Sequence, residues 1–238
     1  CSSDLVCWDF EPMVTYLPIL CMIPNGDHWA YRGCISNSRY PLQTTAGGQC
    51  ADSGPGTSFA CPVVSGVIAL MLEANPDLTW RDVQGVLAST SQKVADPLDE
   101  SATTNSAGFW HSNWYGFGIV DAKKAVDTAL TWKPWPPEEQ AIGESKEENA
   151  KIDENGAEFV SELTIGNEYK GFISESAVVL LNLEHYSRGD LKLTLTSPSG
   201  TESVLHPGQR PENNQPVGQE RWKLMTLRNW GEIGRAHV

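Results

Sequence analysis

The run Pro62-Val-Val-Ser-Gly-Val-Ile-Ala-Leu-Met-Leu-Glu-Ala74 constrains the fold more than any other stretch. It is apolar nearly all round and broken only by small residues. A helix with that pattern offers no face to water, which predicts burial inside a protein core. Gly66 and Ala69 would let neighbouring elements approach closely. Asn75-Pro76 ends the helix, because the residue before Pro is pushed out of the helical region. Thr79 then predicts the N-cap of a second helix, with Asp82 three residues on in a capping-box-like position near the positive helix end. Val83, Val86 and Leu87 form its apolar stripe. Asp121 to Trp132 reads as a third helix, with Ala122, Ala125, Val126 and Ala129 on one face.

The period then changes. Lys133-Pro-Trp-Pro-Pro137 stiffens the chain, and Glu138 to Glu158 is acidic and linker-like. Beyond it Leu191, Leu193 and Leu195 alternate with Lys192, Thr194 and Thr196, the pattern of a half-buried strand. Ala177 to Leu183 reads as a more apolar strand. Ser197-Pro-Ser-Gly200 reads as a turn, and Thr201 to Leu205 as the returning strand. Helices in the first half and strands in the second predict two domains.

Charge narrows the function classes. With 30 Asp and Glu against 17 Lys and Arg, the chain lacks the clustered cations that phosphate-backbone binding needs, so no nucleic-acid partner is expected. An acidic surface attracts basic peptides or simply keeps a secreted domain soluble. No run of about 18 apolar residues occurs, so no transmembrane segment is expected. The chain opens on Cys1 without a Met or a signal-peptide pattern, which reads as a fragment. The six cysteines, Cys1, Cys7, Cys21, Cys34, Cys50 and Cys61, fit no zinc spacing. They suggest disulfides in an oxidising compartment, with pairing open. Residues 1 to about 45 show no sustained period.

Gly56-Thr57-Ser58-Phe59-Ala60-Cys61-Pro62 carries the chemistry. A serine hydroxyl becomes a nucleophile when a base takes its proton. At the start of a long buried helix, Ser58 would be held rigidly, with free backbone N–H groups and the positive dipole end facing a developing oxyanion. The Ser58 backbone N–H is the candidate oxyanion donor. Gly56 permits close approach of a substrate backbone, and Pro62 suits the first helical turn. The alternative is that Ser58 is a plain N-cap. Cys61 reads as a small buried residue rather than a reactive thiol.

The full pattern resembles the nucleophile motif of subtilisin-like serine proteases. Leu72 to Gln84 (LEANPDLTWRDVQ) and His111 to Ala122 (HSNWYGFGIVDA) resemble stretches that follow the nucleophile in kexin and furin-type proprotein convertases. Arg188 to Leu205 (RGDLKLTLTSPSGTESVL) and Trp222 to Glu232 (WKLMTLRNWGE) resemble their P domain. The resemblance spans about residues 42 to 231. It implies the carboxy-terminal portion of an α/β subtilisin-like catalytic domain followed by a truncated all-β, jelly-roll-like P domain. The expected boundaries are 1–132 for the catalytic portion, with 1–45 poorly assigned. Residues 133–158 form the linker and start of the P domain, and 159–231 a partial P domain. The string Glu232 to Val238 (EIGRAHV) matches the translation of read-through into a common short-read sequencing adapter. Residues 232–238 are therefore set aside as an expected artefact.

The same resemblance implies a calcium-dependent serine endopeptidase that cleaves precursor proteins after paired basic residues. It implies the secretory pathway, a Golgi-type compartment, or secretion, with a membrane anchor left open. Calcium ligands and specificity-pocket residues are not identifiable, so no metal-binding residue is assigned. In the family an Asp, a His and an oxyanion Asn precede the Ser, and none can be matched here. His28 lacks the family's His-Gly-Thr context. His111, His185 and His206 follow the nucleophile and read as surface or turn residues. Arg188-Gly189-Asp190 reads as a turn feeding a strand rather than an integrin motif. The chain alone is expected to be inactive. Competing readings are a pseudoprotease or P-domain binding module, and a secreted bacterial-type subtilase with a P domain.

Overall fold

The computed structural model describes residues 42–44, 50–52, 57–143, 152, 158–166, 169, 171–208 and 222–233, with side chains described from Ala60 onward. The chain divides into two compact units. The first contains residues up to Thr104 and Trp110–Pro137; the second contains Asn105–Phe109 and everything from Glu138.

In the first unit, β1 (Leu42–Thr44) and β2 (Cys50–Asp52) pair antiparallel, Leu42 opposite Asp52. Helix α1 then runs Thr57–Ala74, α2 Trp80–Thr90 and α3 Ala122–Ala129. Two-residue strands β3 (Thr103–Thr104) and β4 (Trp110–His111) form an antiparallel ladder. Thr79 caps α2 as its sequence predicts. Its hydroxyl accepts the Asp82 N–H, and the Asp82 carboxylate accepts the Thr79 N–H. Val83, Val86 and Leu87 are buried.

Four expectations for α1 need correction. The helix begins five residues before Pro62, so Pro62 stands inside it rather than in its first turn. The helical bond that residue 62 would donate to the Ser58 carbonyl therefore does not exist. Nor is α1 buried on every side. Ala60, Val64, Val67, Ile68 and Met71 form its buried face, while Val63 is 46% and Leu70 51% exposed. Cys61 is an exposed free thiol, not a buried small residue. Gly66 faces open space and Ala69 is exposed, so neither serves a close approach here. The physical reason is that, among the described elements, α3 alone packs closely on α1.

The third helix is also shorter than its pattern suggests. Asp121 caps it by accepting the Lys124 N–H, and Ala125 and Ala129 are buried, but Ala122 is exposed and Val126 half-buried. After Ala129 the chain tightens into i→i+3 turns, Thr131 N–H to Thr128 and Trp132 N–H to Ala129.

The second unit is all-β in its described elements, which are β5 (Ala177–Leu181), β6 (Lys192–Thr196), β7 (Glu202–Pro207) and β8 (Trp222–Thr226). They form two antiparallel pairs, β5 with β8 and β6 with β7. The Ser197–Gly200 turn is present. Gly200 takes a φ of 84° and donates its N–H to Ser197 O at 2.9 Å, a backbone region that glycine adopts without strain. Leu191 is buried, Leu193 and Leu195 half-buried, and the intervening Lys192, Thr194 and Thr196 exposed. Arg188–Asp190 is one turn of 3-10 helix feeding β6. Among the described residues, Leu191, Leu227 and Trp230 are the buried large apolar residues of the second unit.

Candidate active-site helix and its framework

Ser58 is the second residue of α1. The first-turn N–H groups of a helix have no intrahelical acceptor, so the Ser58 N–H belongs to that unsatisfied set at the positive end. Gly56, Cys1, Cys7, Cys21, Cys34 and the sequence around His28 lie outside the described residues.

The framework that holds α1 begins at its carboxy end. The Asn75 N–H donates to Met71 O at 2.9 Å. The Asn75 side-chain Nδ2 then donates to Ala129 O at 2.9 Å and Trp132 O at 3.3 Å. One asparagine thus closes α1 and satisfies carbonyls at the end of α3. Sequence reasoning saw only that the Asn-Pro pair stops a helix.

A second framework lies in the 96–117 loops. Asp99 Oδ2 accepts the Ser112 hydroxyl, and Oδ1 accepts the Ser101 hydroxyl and N–H. Ser112 Oγ in turn accepts N–H bonds from Trp114 at 2.8 Å and Tyr115 at 3.1 Å. The Tyr115 hydroxyl donates to Asp96 Oδ2 at 2.6 Å. Asp99 and Ser112 are buried, and their polar atoms are paired as burial demands. This is the internal wiring of the His111–Ala122 motif.

The histidines separate. His111 stands half-buried on β4, edge-on to Phe117 at 5.2 Å between centroids. His185 stacks on Tyr186, with Nδ1 2.6 Å from Ser187 O. His206 is neither a surface nor a turn residue. It is buried within β7, with Nδ1 2.6 Å from Leu191 O and its ring edge-on to Trp222. Simple alternation from buried Ser203 would turn Leu205 inward; the register shift that pairs Leu193 with His206 and Thr194 with Val204 leaves Leu205 as an extra residue and turns His206 inward instead.

Glu232, set aside above with residues 233–238, is instead a buried carboxylate tied into the second unit. Glu232 Oε1 accepts the Ser106 N–H at 3.2 Å, the Ser106 hydroxyl at 2.9 Å and the Thr201 hydroxyl. Its Oε2 accepts Asn229 Nδ2 at 3.2 Å. Burial alone would raise its pKa. The Thr201, Ser197, Asn229 and Ser106 bonds outweigh that and leave it below the ordinary glutamate value.

Calcium finds no matching donor set among the described residues, where no group of three or more His, Cys, Asp or Glu could hold a metal. The carboxylates of Asp82, Asp99 and Glu232 face N–H and O–H donors, which suit an anion and repel a cation. No helix among the described residues is long and apolar enough to cross a membrane.

Comparison with known proteins agrees with this arrangement. Residues 21–118 match the Subtilase family, and residues 174–235 match the Proprotein convertase P-domain. A PC3-like endoprotease, variant B, of Hydra vulgaris is 36% identical over 188 residues, covering 77% of this chain and 26% of that protein. Endoprotease bli-4 of Caenorhabditis elegans is 37% identical over 197 residues, covering 79% of this chain and 20% of that protein. Proprotein convertase subtilisin/kexin type 5 of Homo sapiens is 38% identical over 190 residues, covering 77% and 10%. Among solved structures, the serine protease of Aeromonas sobria aligns with a TM-score of 0.60 at 25% identity, over 78% of this chain and 37% of that one. The chain spans about a quarter or less of the length of these three relatives. Two family segments in one order, on a subtilisin-like helix framework followed by paired β-strands, place the chain in the subtilisin-like serine protease family, among the kexin/furin-type proprotein convertases.

Proposed function

We propose that the protein to which this chain belongs is a serine endoprotease that cleaves precursor proteins after paired basic residues, with Ser58 as its nucleophile. The observation that carries this reading is the Gly-Thr-Ser motif at the amino end of the long helix Thr57–Ala74. Ser58 Oγ would attack the scissile carbonyl while a histidine takes its proton, and the Ser58 N–H would bind the oxyanion. The acyl-enzyme would then be hydrolysed by water. No aspartate or histidine of the triad is assigned in this chain. The carboxy-terminal catalytic portion is assigned to residues 1–132, the linker to 133–158 and a partial P domain to 159–231. Calcium dependence, action in the secretory pathway or outside the cell, and basic-site peptides as partners belong to the same reading.

The test uses the complete protein and a fluorogenic peptide with a paired basic site. Turnover that falls by a factor on the order of 10⁶ in Ser58→Ala is expected, the scale seen when a subtilisin-type nucleophile is removed. The 238-residue chain alone should show no Ser58-dependent turnover. A complete protein whose turnover is indifferent to Ser58→Ala would overturn the reading.

A further inference from the structure

Adjacent basic residues occur at one place in this sequence, Lys123-Lys124. Both side chains are exposed on the first turn of α3. We propose that the Lys124–Ala125 bond is a masked cleavage site for endoproteases that cut after paired basic residues, a second copy of the parent enzyme included, and that α3 masks it. The inclusion of the parent enzyme rests on the specificity given under Proposed function; the masking does not.

Endoproteases bind substrates as extended strands, using main-chain hydrogen bonds and pockets for alternate side chains. Here the recognition element is on the surface, but the main chain is committed elsewhere. The Ala125 N–H, which belongs to the scissile amide, donates to Asp121 O at 2.8 Å. The Lys124 N–H donates to the Asp121 side chain at 2.9 Å. The Lys123 ammonium pairs with Asp127 one turn on. Ala125, directly after the scissile bond, is fully buried, at 0% exposure. Neither the bond nor its carboxy-terminal neighbour can enter a cleft while α3 is docked.

The mask is conditional. An eight-residue helix has no stability of its own in water and persists through its packing. Loss of the contacts that Ala125 and Ala129 make would return the segment to an extended chain carrying an exposed Lys-Lys pair. Docked molecules are spared and loosened ones are cut, so the site reports the folding state of the first unit. Cleavage consumes one water. The protease serine takes the Lys124 acyl group and expels Ala125 as a free amine with one added proton. Water then releases Lys124 as a carboxylate and restores the serine.

The experiment treats the 238-residue chain with an external dibasic-specific endoprotease, and in parallel with the complete parent enzyme. Mass spectrometry follows fragments 1–124 and 125–238. In buffer the bond should resist; in urea that loosens the first unit without inhibiting the protease it should be cut. Asp121→Ala, which removes the N-cap, should raise the rate in buffer about fivefold, because cleavage tracks the open population. Asp121→Asn can still cap and should stay within about twofold. Where circular dichroism shows Asp121→Ala unfolded, Asp127→Ala, which leaves the cap in place, should give about a twofold rise. Lys123→Gln with Lys124→Gln should abolish the cut under every condition. Equal cleavage in buffer and urea would overturn the masking. Trypsin cutting after Lys124 in urea while the dibasic-specific protease does not would overturn the site itself. If the external protease behaves as expected and the parent enzyme leaves the loosened chain uncut, the self-cleavage and the parent's specificity fall while the masked site stands.

Discussion

Asp82 Oδ1 accepts the indole N–H of Trp132 at 2.9 Å, across 50 residues of sequence. The same oxygen accepts the Trp135 backbone N–H at 2.8 Å. Its partner Oδ2 accepts the Thr79 N–H at 2.8 Å and the Thr79 hydroxyl at 2.6 Å. One carboxylate therefore caps α2 and holds the segment that leaves α3. Arg81 adds to this strap, donating to Pro136 O at 2.6 Å with its guanidinium over the Trp135 ring.

Asp82→Ala should destabilise the first unit by about 2 kcal/mol, because four part-buried donors lose a charged acceptor. Asp82→Asn should cost nearly as much, since its NH₂ would face donors. Chemical denaturation followed by tryptophan fluorescence measures both, and Trp132 and Trp135 report directly on the strap. A cost near zero would show that the strap binds by ring packing alone.

Acid sensitivity follows from the same carboxylate and from Glu232. Burial raises the Asp82 pKa, but the bonds from Thr79, Trp135 and Trp132 prevail and hold it below 3.8. Glu232 is held below 4.5. A folded pKa below the unfolded one gives stability that is complete above the unfolded value and lost as pH falls through the folded value. Both contributions should therefore be intact above about pH 5 and fade below about pH 4. Thermal melts across that window should show Glu232→Gln losing part of the slope, and a slope unchanged in that variant would refute its assignment.

Gly85→Ala sets helix propensity against packing. Alanine in a helix interior gains about 1 kcal/mol over glycine. A Cβ at residue 85 would lie 2.5 Å from Trp135 Cη2 and 3.0 Å from Trp132 Cζ2. Indole rings are rigid and these are strapped by Asp82, so overpacking of about 1–3 kcal/mol should win. A net loss of stability with shifted tryptophan emission is expected; a stabilised variant would mean that the strap moves freely.

The elements legible in the sequence are those set by local chemistry. The Thr79–Asp82 capping box, the stop at Asn75-Pro76, the Ser197–Gly200 turn and the alternation of β6 depend on neighbours a few residues away, which any reader of the chain can see. What escaped depends on distant partners. The end of α3 is tied by Asn75, more than fifty residues earlier. His206 is buried where β7 packs against β8, a strand that it does not pair with, so that the Trp222 ring stands edge-on beside it. The exposed face of α1, with Val63 and Leu70, shows that an all-round apolar pattern states what a helix can bury, not what its described neighbours cover. For the candidate site, the Gly56–Pro62 motif proposes Ser58, while no base can be proposed from the chain, since the partners of a nucleophile are neighbours in space rather than in sequence.

Asn105→Ala should open the segment 105–109 of the second unit. Asn105 Nδ2 donates to Arg228 O and Trp230 O, both at 2.8 Å, and Oδ1 accepts the Ala107 and Phe109 N–H groups at 3.0 and 2.9 Å. Removing the side chain strands buried carbonyls and frees a turn, for a cost of about 2–4 kcal/mol. Hydrogen exchange at the Ala107 and Phe109 amides should accelerate by more than tenfold, and unchanged protection would contradict the role.

Gly231→Ala tests the same segment from the opposite side and carries two independent penalties. Gly231 has a φ of 76°, in the left-handed region that costs an L-residue about 1 kcal/mol or more. A Cβ there would lie 2.6 Å from Phe109 Cε2 and 3.2 Å from Ala107 Cβ. The backbone cannot retreat easily, because the Gly231 N–H donates to Ser174 O at 2.8 Å and the Ser174 N–H donates to Glu232 O at 2.9 Å. Ring displacement is the cheaper relief, so the Phe109 side chain should leave its seat before the Ser174 bonds break. The expected loss is about 2–4 kcal/mol. Gly231→Ala combined with Phe109→Ala separates the terms. If the clash dominates, the double variant should cost less than the sum of the two single changes. If backbone strain dominates, the costs should add. Strict additivity would remove Phe109 from the account of why glycine stands at this position.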